Sequence, residues 1–374
     1  MRPAFSSTKQ AALFALLLFL TLLSPVLAGK KILPPREEGY SRQGFGPGPY
    51  PWIQQQLFEE TNDMDIVFIG SSRLYNDINT SYVQERLSRQ LGRPAVVRTI
   101  SWGGAGYDGL FFVAKDLLER RRVGMLVIYD ENPQVGHYRN PQIPALFRYA
   151  EDADVLSGLT LSEQAMYYCS AVLGMPKNLL SRCRLNLPFP LTTMPASCWE
   201  QRRGSGNIVK QLGCARAELG FDYNRTDVRP ATFVPFQPHN GVTPADVQVY
   251  SGDKKNDFEF GRTPLPNWQA HFARKLGELT RLHHCRLVML HLPVLAGASE
   301  KNIPERAFWP AVFQTDVPML GIPAAKLFAG LTDEELHSLF VESLHMNANG
   351  MDYFTPLITP SLLQLYESKN GFHY

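Results

Sequence analysis

The chain has 374 residues, 44% of them hydrophobic and 19% charged, which is enough apolar content for one large core or two modest ones and excludes a disordered or collagen-like polymer. Its formal net charge of +2 is carried by Arg2 and Lys9 at the extreme N-terminus, so the remainder is neutral. A neutral body lacks the basic footprint of a nucleic-acid binder or of a protein held electrostatically on an anionic membrane, and no nucleic-acid partner is expected.

Residues 1–28 have the layout of a secretory signal: Arg2 and Lys9, an apolar run over 11–23, then Ser24-Pro25 and a small-residue site ending at Ala28. Ser24-Pro25 is expected to interrupt the helix where a peptidase needs extended chain, which favours cleavage after Ala28. The alternative is an uncleaved anchor, since the apolar stretch is nearly long enough to span a bilayer. In both cases the chain is exported, to a periplasmic or extracellular compartment, and touches a membrane only if the segment is retained. Residues 29–60 are rich in Pro and Gly, as in GFGPGPYPW, and read as an extended lead-in without its own core.

An alternation of strand and helix then begins, and residues 61–374 are expected to form the main domain. The periodicity predicts strands over 65–69, 95–100 and 124–130, a Thr-capped helix over Thr80–Leu91, and a second helix over 107–122. A βαβαβ order implies a parallel sheet, with the loops after each strand sharing one edge. The pattern breaks over 133–264, which reads as an insertion or cap containing one apolar helical stretch, SEQAMYYCSAVLGM. Four of the five cysteines, Cys169, Cys183, Cys198 and Cys214, fall there without the close pairs of a zinc site, so in an exported chain disulfides are expected among them. Their pairing stays open. Cys285 reads as a buried thiol. A helix over Asn267–Leu282, strands over 285–291 and 317–322, and a last helix from about Asn347 complete the chain.

The chemistry gathers behind the strands. Gly70-Ser71-Ser72 follows the first, Ser101-Trp102-Gly103-Gly104-Ala105-Gly106 the second, and Asp130-Glu131-Asn132 the third; Glu342-Ser343-Leu344-His345 stands near the end. A hydroxyl, approachable backbone amides, a side-chain amide and a carboxylate three residues before a histidine are the parts needed for acyl transfer. Serine becomes a nucleophile at neutral pH when a base takes its proton, and the tetrahedral intermediate then needs donors aimed at its oxygen.

This arrangement resembles the SGNH (GDSL-type) hydrolase superfamily, over about residues 65–135 and 285–370. The resemblance implies a three-layer α/β/α flavodoxin-like fold with Ser72 as nucleophile, His345 as base and Glu342 orienting it. It also implies an oxyanion hole made by Ser72, Gly104 and Asn132. Ser71, Thr99, Asp130 and Glu342 depart from that family's usual Asp, Asn, Gly and Asp. Gly-Ser-Ser in the first block is similar to a cell-envelope branch that handles acyl groups on polymers. The implied activity is that of an exported ester hydrolase or O-acyltransferase, with acyl (in the first instance acetyl) esters of a cell-envelope or extracellular carbohydrate as substrate. The alternative is a non-catalytic protein that keeps the scaffold to bind polysaccharide or an envelope partner.

No cofactor is expected, because no Gly-rich phosphate loop opens a helix after the first strand. No metal is expected either, since His283-His284 lack a third ligand at suitable spacing and read as the exposed end of a helix. His337 also follows a glutamate by three residues, but within a helix capped by Thr332, where the pair is expected to be solvated.

Overall fold

The computed structural model describes residues 7–27, 33, 35–40, 50–102, 106–129, 143–181, 236–250, 255–256, 265–295, 305–306, 312–313, 317–341 and 344–370. These fall into two compact units, Met1–Gly46 with Pro141–Phe189, and Pro47–Asn140 with Pro190–Tyr374.

The second unit is an α/β structure around a mixed, mostly parallel sheet. Its strands are β1 (Met64–Ser71), β2 (Val97–Trp102), β3 (Val123–Tyr129), β4 (Gln248–Tyr250), β6 (Arg286–Leu290) and β8 (Met319–Gly321), with β5 (Lys255–Asn256) and β7 (Glu305–Arg306) forming a separate antiparallel pair. The order across the main sheet is β2-β1-β3-β6-β8-β4, parallel except for β4 at the edge. β1 is buried at every position, as an apolar run in mid-sheet must be.

Side chains alternate across the sheet. Ile66 and Phe68 of β1, with Met125 and Val127 of β3, pack into one core with Val83 and Leu87 of the Thr80–Leu91 helix and Phe354, Ile358 and Leu362 of the Ala348–Asn370 helix. The opposite face meets the Tyr107–Leu118 helix, which packs on the Asn267–Leu282 helix through the Phe111, Phe112 and Phe272 rings, with centroids 5.2–5.6 Å apart. The topology reverses between β1 and β3, because β2 lies to one side of β1 and all later strands to the other. In an open doubly wound sheet the crevice at the carboxyl ends of such strands is where ligands bind.

Several local expectations are corrected. Asn79, not Thr80, caps the Thr80–Leu91 helix: its side chain accepts from Tyr82 N at 3.1 Å. The helix that starts at Tyr107 ends at Leu118. Gln248–Tyr250, inside the segment expected to be a cap, instead completes the main sheet as its antiparallel edge. The lead-in is not coreless, since Trp52, Ile53 and Leu57 are buried on short helical turns.

In the first unit, the Thr8–Leu27 helix packs on the Leu161–Ser181 helix, and Tyr168 OH donates to Leu22 O. Ser24-Pro25 does not end the first helix, contrary to the expectation from proline alone. Pro25 lacks the N–H that would serve Thr21 O, and the Ser24 hydroxyl donates to that carbonyl instead, at 2.7 Å. This is the one described helix long and apolar enough to cross a bilayer. Beside it, the buried Asp152 carboxylate accepts from Arg36 at 3.0 Å and from Arg148 N at 2.9 Å.

Candidate active site

β1 ends at Ser71, and Ser72 opens the short helix Ser72–Asp77. Gly70 is required immediately before them. A β-carbon there would sit 2.8 Å from Cε1 of Tyr129 and 2.9 Å from Cδ1 of Leu74, so only glycine lets the tyrosine ring close over the strand end. Ser71 is the helix cap: its Oγ accepts from Arg73 N at 3.3 Å and from Tyr129 OH at 2.8 Å. With Ser71 so occupied, the neighbouring Ser72, half-buried rather than sealed, is left to face the crevice.

Its partner is His345. Ser72 Oγ lies 2.8 Å from His345 Nε2, across 273 residues of sequence. The histidine is held by an isolated antiparallel bridge between Phe340 and Met346 and by Val341 N donating to His345 O at 2.9 Å. Asn347 ties the far side, its side chain donating to Ser338 O at 2.6 Å. Gly350 allows the close approach: a β-carbon there would meet Leu339 O at 2.2 Å.

Two polar side chains that sequence reasoning did not single out support the pair. Asp77, fully buried, accepts from Met346 N at 2.9 Å. Arg73, also buried, places its Nε 4.0 Å from the other Asp77 oxygen, lays its guanidinium over the Tyr129 ring at 5.5 Å and donates to Leu292 O. The only prior signal was the i, i+4 spacing of Arg73 and Asp77, which places the two charges on one face if the segment after Ser72 is helical.

The other expected residues divide clearly. Gly104, Asn132 and Glu342 lie outside the described residues. Thr99 is buried, its Oγ1 lying 2.5 Å from Thr80 Oγ1. Trp102 is buried at 4% exposure and packs in the interior. His337 bonds within its own helix, Nδ1 to Asp333 O at 2.6 Å, below a capping box of Thr332 and Glu335. His283 and His284 end the Asn267–Leu282 helix, and among the described residues no cluster of His, Cys, Asp or Glu is placed to hold a metal. Cys169 is an exposed free thiol and Cys285 a buried one; Cys183, Cys198 and Cys214 lie outside the described residues, so no disulfide is present among those described.

The arrangement can move a proton between a hydroxyl and an imidazole at the carboxyl edge of a doubly wound sheet. No protein-family model matches the chain, and no match to a curated protein was found.

Proposed function

We propose that this chain is an exported serine-dependent ester hydrolase or O-acyltransferase of the SGNH (GDSL-type) kind, acting on acyl, in the first instance acetyl, esters of a cell-envelope or extracellular carbohydrate. The observation that carries the reading is the 2.8 Å contact between Ser72 Oγ and His345 Nε2. Two groups so remote in sequence meet at hydrogen-bond distance where an acyl-transfer mechanism needs them. Counting only parallel strands, the order 2-1-3-4-5 is the flavodoxin-like one, and the serine stands at its switch point.

With the imidazole proton on Nδ1, Nε2 accepts the Ser72 proton as Oγ attacks the acyl carbonyl. The carbonyl electron pair moves onto its oxygen, which takes a hydrogen bond from the Ser72 backbone N–H at the open end of the helix. The expected roles of Gly104 and Asn132 are further donors to that oxygen, and of Glu342 to orient the ring. Collapse breaks the bond to the sugar oxygen, which leaves with the proton from Nε2. The acyl-serine is then released by water or by a second sugar hydroxyl, whose proton returns through the same nitrogen.

Export is supported by the apolar Thr8–Leu27 helix, with Arg2 ahead of it and Lys9 in its first turn, a positive flank that favours retention of the N-terminus on the cytoplasmic side whether the helix acts as signal or anchor. The reading is tested by assaying the purified chain on an aryl acetate and on an acetylated polysaccharide. Ser72→Ala is expected to lower turnover by about 10³-fold or more. Unchanged hydrolysis in that variant overturns it.

A further inference from the structure

We infer that Asp77 is a positioning residue of the site, holding the base in place through the backbone of the loop that bears it. The inference rests on the reading of Ser72 and His345 as nucleophile and base, and deepens it.

The peptide unit joining His345 to Met346 is held at both ends. Its carbonyl accepts from Val341 N at 2.9 Å, and its N–H donates to Asp77 Oδ1 at 2.9 Å. Fixing that plane fixes the backbone torsion from which the His345 side chain departs, and so the direction in which the ring can reach. The Val341 bond closes the loop upon itself and would move with it. Asp77 is different, because it belongs to the six-residue helix that Ser72 begins. The nucleophile and the anchor of the base are therefore parts of one rigid turn of chain.

Asp77 is itself immobilised. It is fully buried, and the Arg73 guanidinium on the same helix approaches its second oxygen at 4.0 Å while bonding Leu292 O beyond β6 and lying over Tyr129. A carboxylate kept out of water needs such compensation, and a hydrophobic residue would be the simpler filling if the position served packing alone. A misplacement of the base by about 1 Å, from a change that never touches substrate, is enough to cost about 100-fold in rate.

The test compares the full chain carrying Asp77→Ala or Asp77→Asn with the unsubstituted protein, using aryl-acetate kinetics and the stoichiometry of fluorophosphonate incorporation on Ser72. The expected result for Asp77→Ala is kcat lower by about 100-fold, KM within about threefold and incorporation still near one per folded chain. Asp77→Asn, which keeps an acceptor oxygen for Met346 N, recovers most of the rate. A purely structural role predicts the opposite split, with fewer competent molecules turning over at the normal rate, and that result overturns the inference. So does a normal kcat in Asp77→Ala. Where Asp77→Ala does not fold, hydrogen exchange at the Met346 amide of the unsubstituted protein decides: strong protection supports the bond to Asp77, and exchange at the rate of a free amide overturns it. Absence of any adduct on unsubstituted Ser72 removes the catalytic reading itself, a result distinct from all of these.

Discussion

Tyr129 OH donates to Ser71 Oγ at 2.8 Å, binding the end of β3 to the end of β1 at the point where the sheet reverses direction. The bond joins the residue beside the proposed nucleophile to a ring that also supports Arg73. Removing the hydroxyl alone, as Tyr129→Phe, keeps the ring and its stacking and deletes one buried hydrogen bond. The expected loss is about 1 kcal/mol, read from the midpoint shift in urea unfolding at constant slope. No shift would mean that Ser71 finds an equal partner without it.

Gly70 has a sharper requirement. Gly70→Ala forces a methyl to within 2.8 Å of the Tyr129 ring and 2.9 Å of Leu74, neither of which has free space to retreat into. Overpacking of this kind destabilises by about 1–3 kcal/mol. Because the displaced ring is the one that bonds Ser71, aryl-acetate turnover is expected to fall with stability in this variant. A substitution that leaves both intact contradicts the packing described.

Asn79 sits in an Asn-Thr-Ser sequence that would suit glycan attachment, yet it is 3% exposed and its side chain caps the Thr80–Leu91 helix. Expression in a glycosylating host is expected to leave Asn79 unmodified in the folded protein, as intact mass after peptide mapping would show. Asn79→Ala is expected to lower stability by about 1 kcal/mol through loss of the cap.

Asp65 at the start of β1 gives the fold an acid-sensitive staple. Burial pushes its carboxyl up, but hydrogen bonds from Arg93, from Val96 N at 2.8 Å and from Tyr366 OH at 2.7 Å outweigh that, and the pKa lies below the ordinary 3.8. The native state therefore binds the proton less readily than the unfolded chain. The stabilisation is complete above the unfolded value of 3.8 and is lost as pH falls through the lower native one. Melting temperature measured across that window should fall more steeply in the unsubstituted protein than in Asp65→Asn. Parallel curves would contradict the staple.

The strands that build the site were legible because β1 and β3 are apolar on both faces and bounded by turn residues, a pattern that leaves little choice but mid-sheet. The Asn267–Leu282 helix carries its apolar residues at helical spacing and was found to its ends. The edge strand β4 was not legible, since three half-exposed residues gain their order from β8 and not from their own periodicity. Helical turns over 50–59 were hidden by Pro and Gly composition, and the helix through Pro25 by a serine that takes over the carbonyl proline cannot serve. Ser72 and His345 could be named from the positions of their loops. Asp77 and Tyr129 could not, because their roles consist of contacts to Met346 and Ser71, which exist only once the chain has folded.

In the proposed mechanism the Ser72 hydroxyl is nucleophilic because His345 takes its proton. The most direct measurement treats the purified folded chain with a fluorophosphonate and locates the adduct by peptide mass. The account predicts a single adduct on Ser72, lost in His345→Ala and unaffected in His337→Ala. A folded protein that takes no adduct, or one that labels Ser72 equally well without His345, would contradict it.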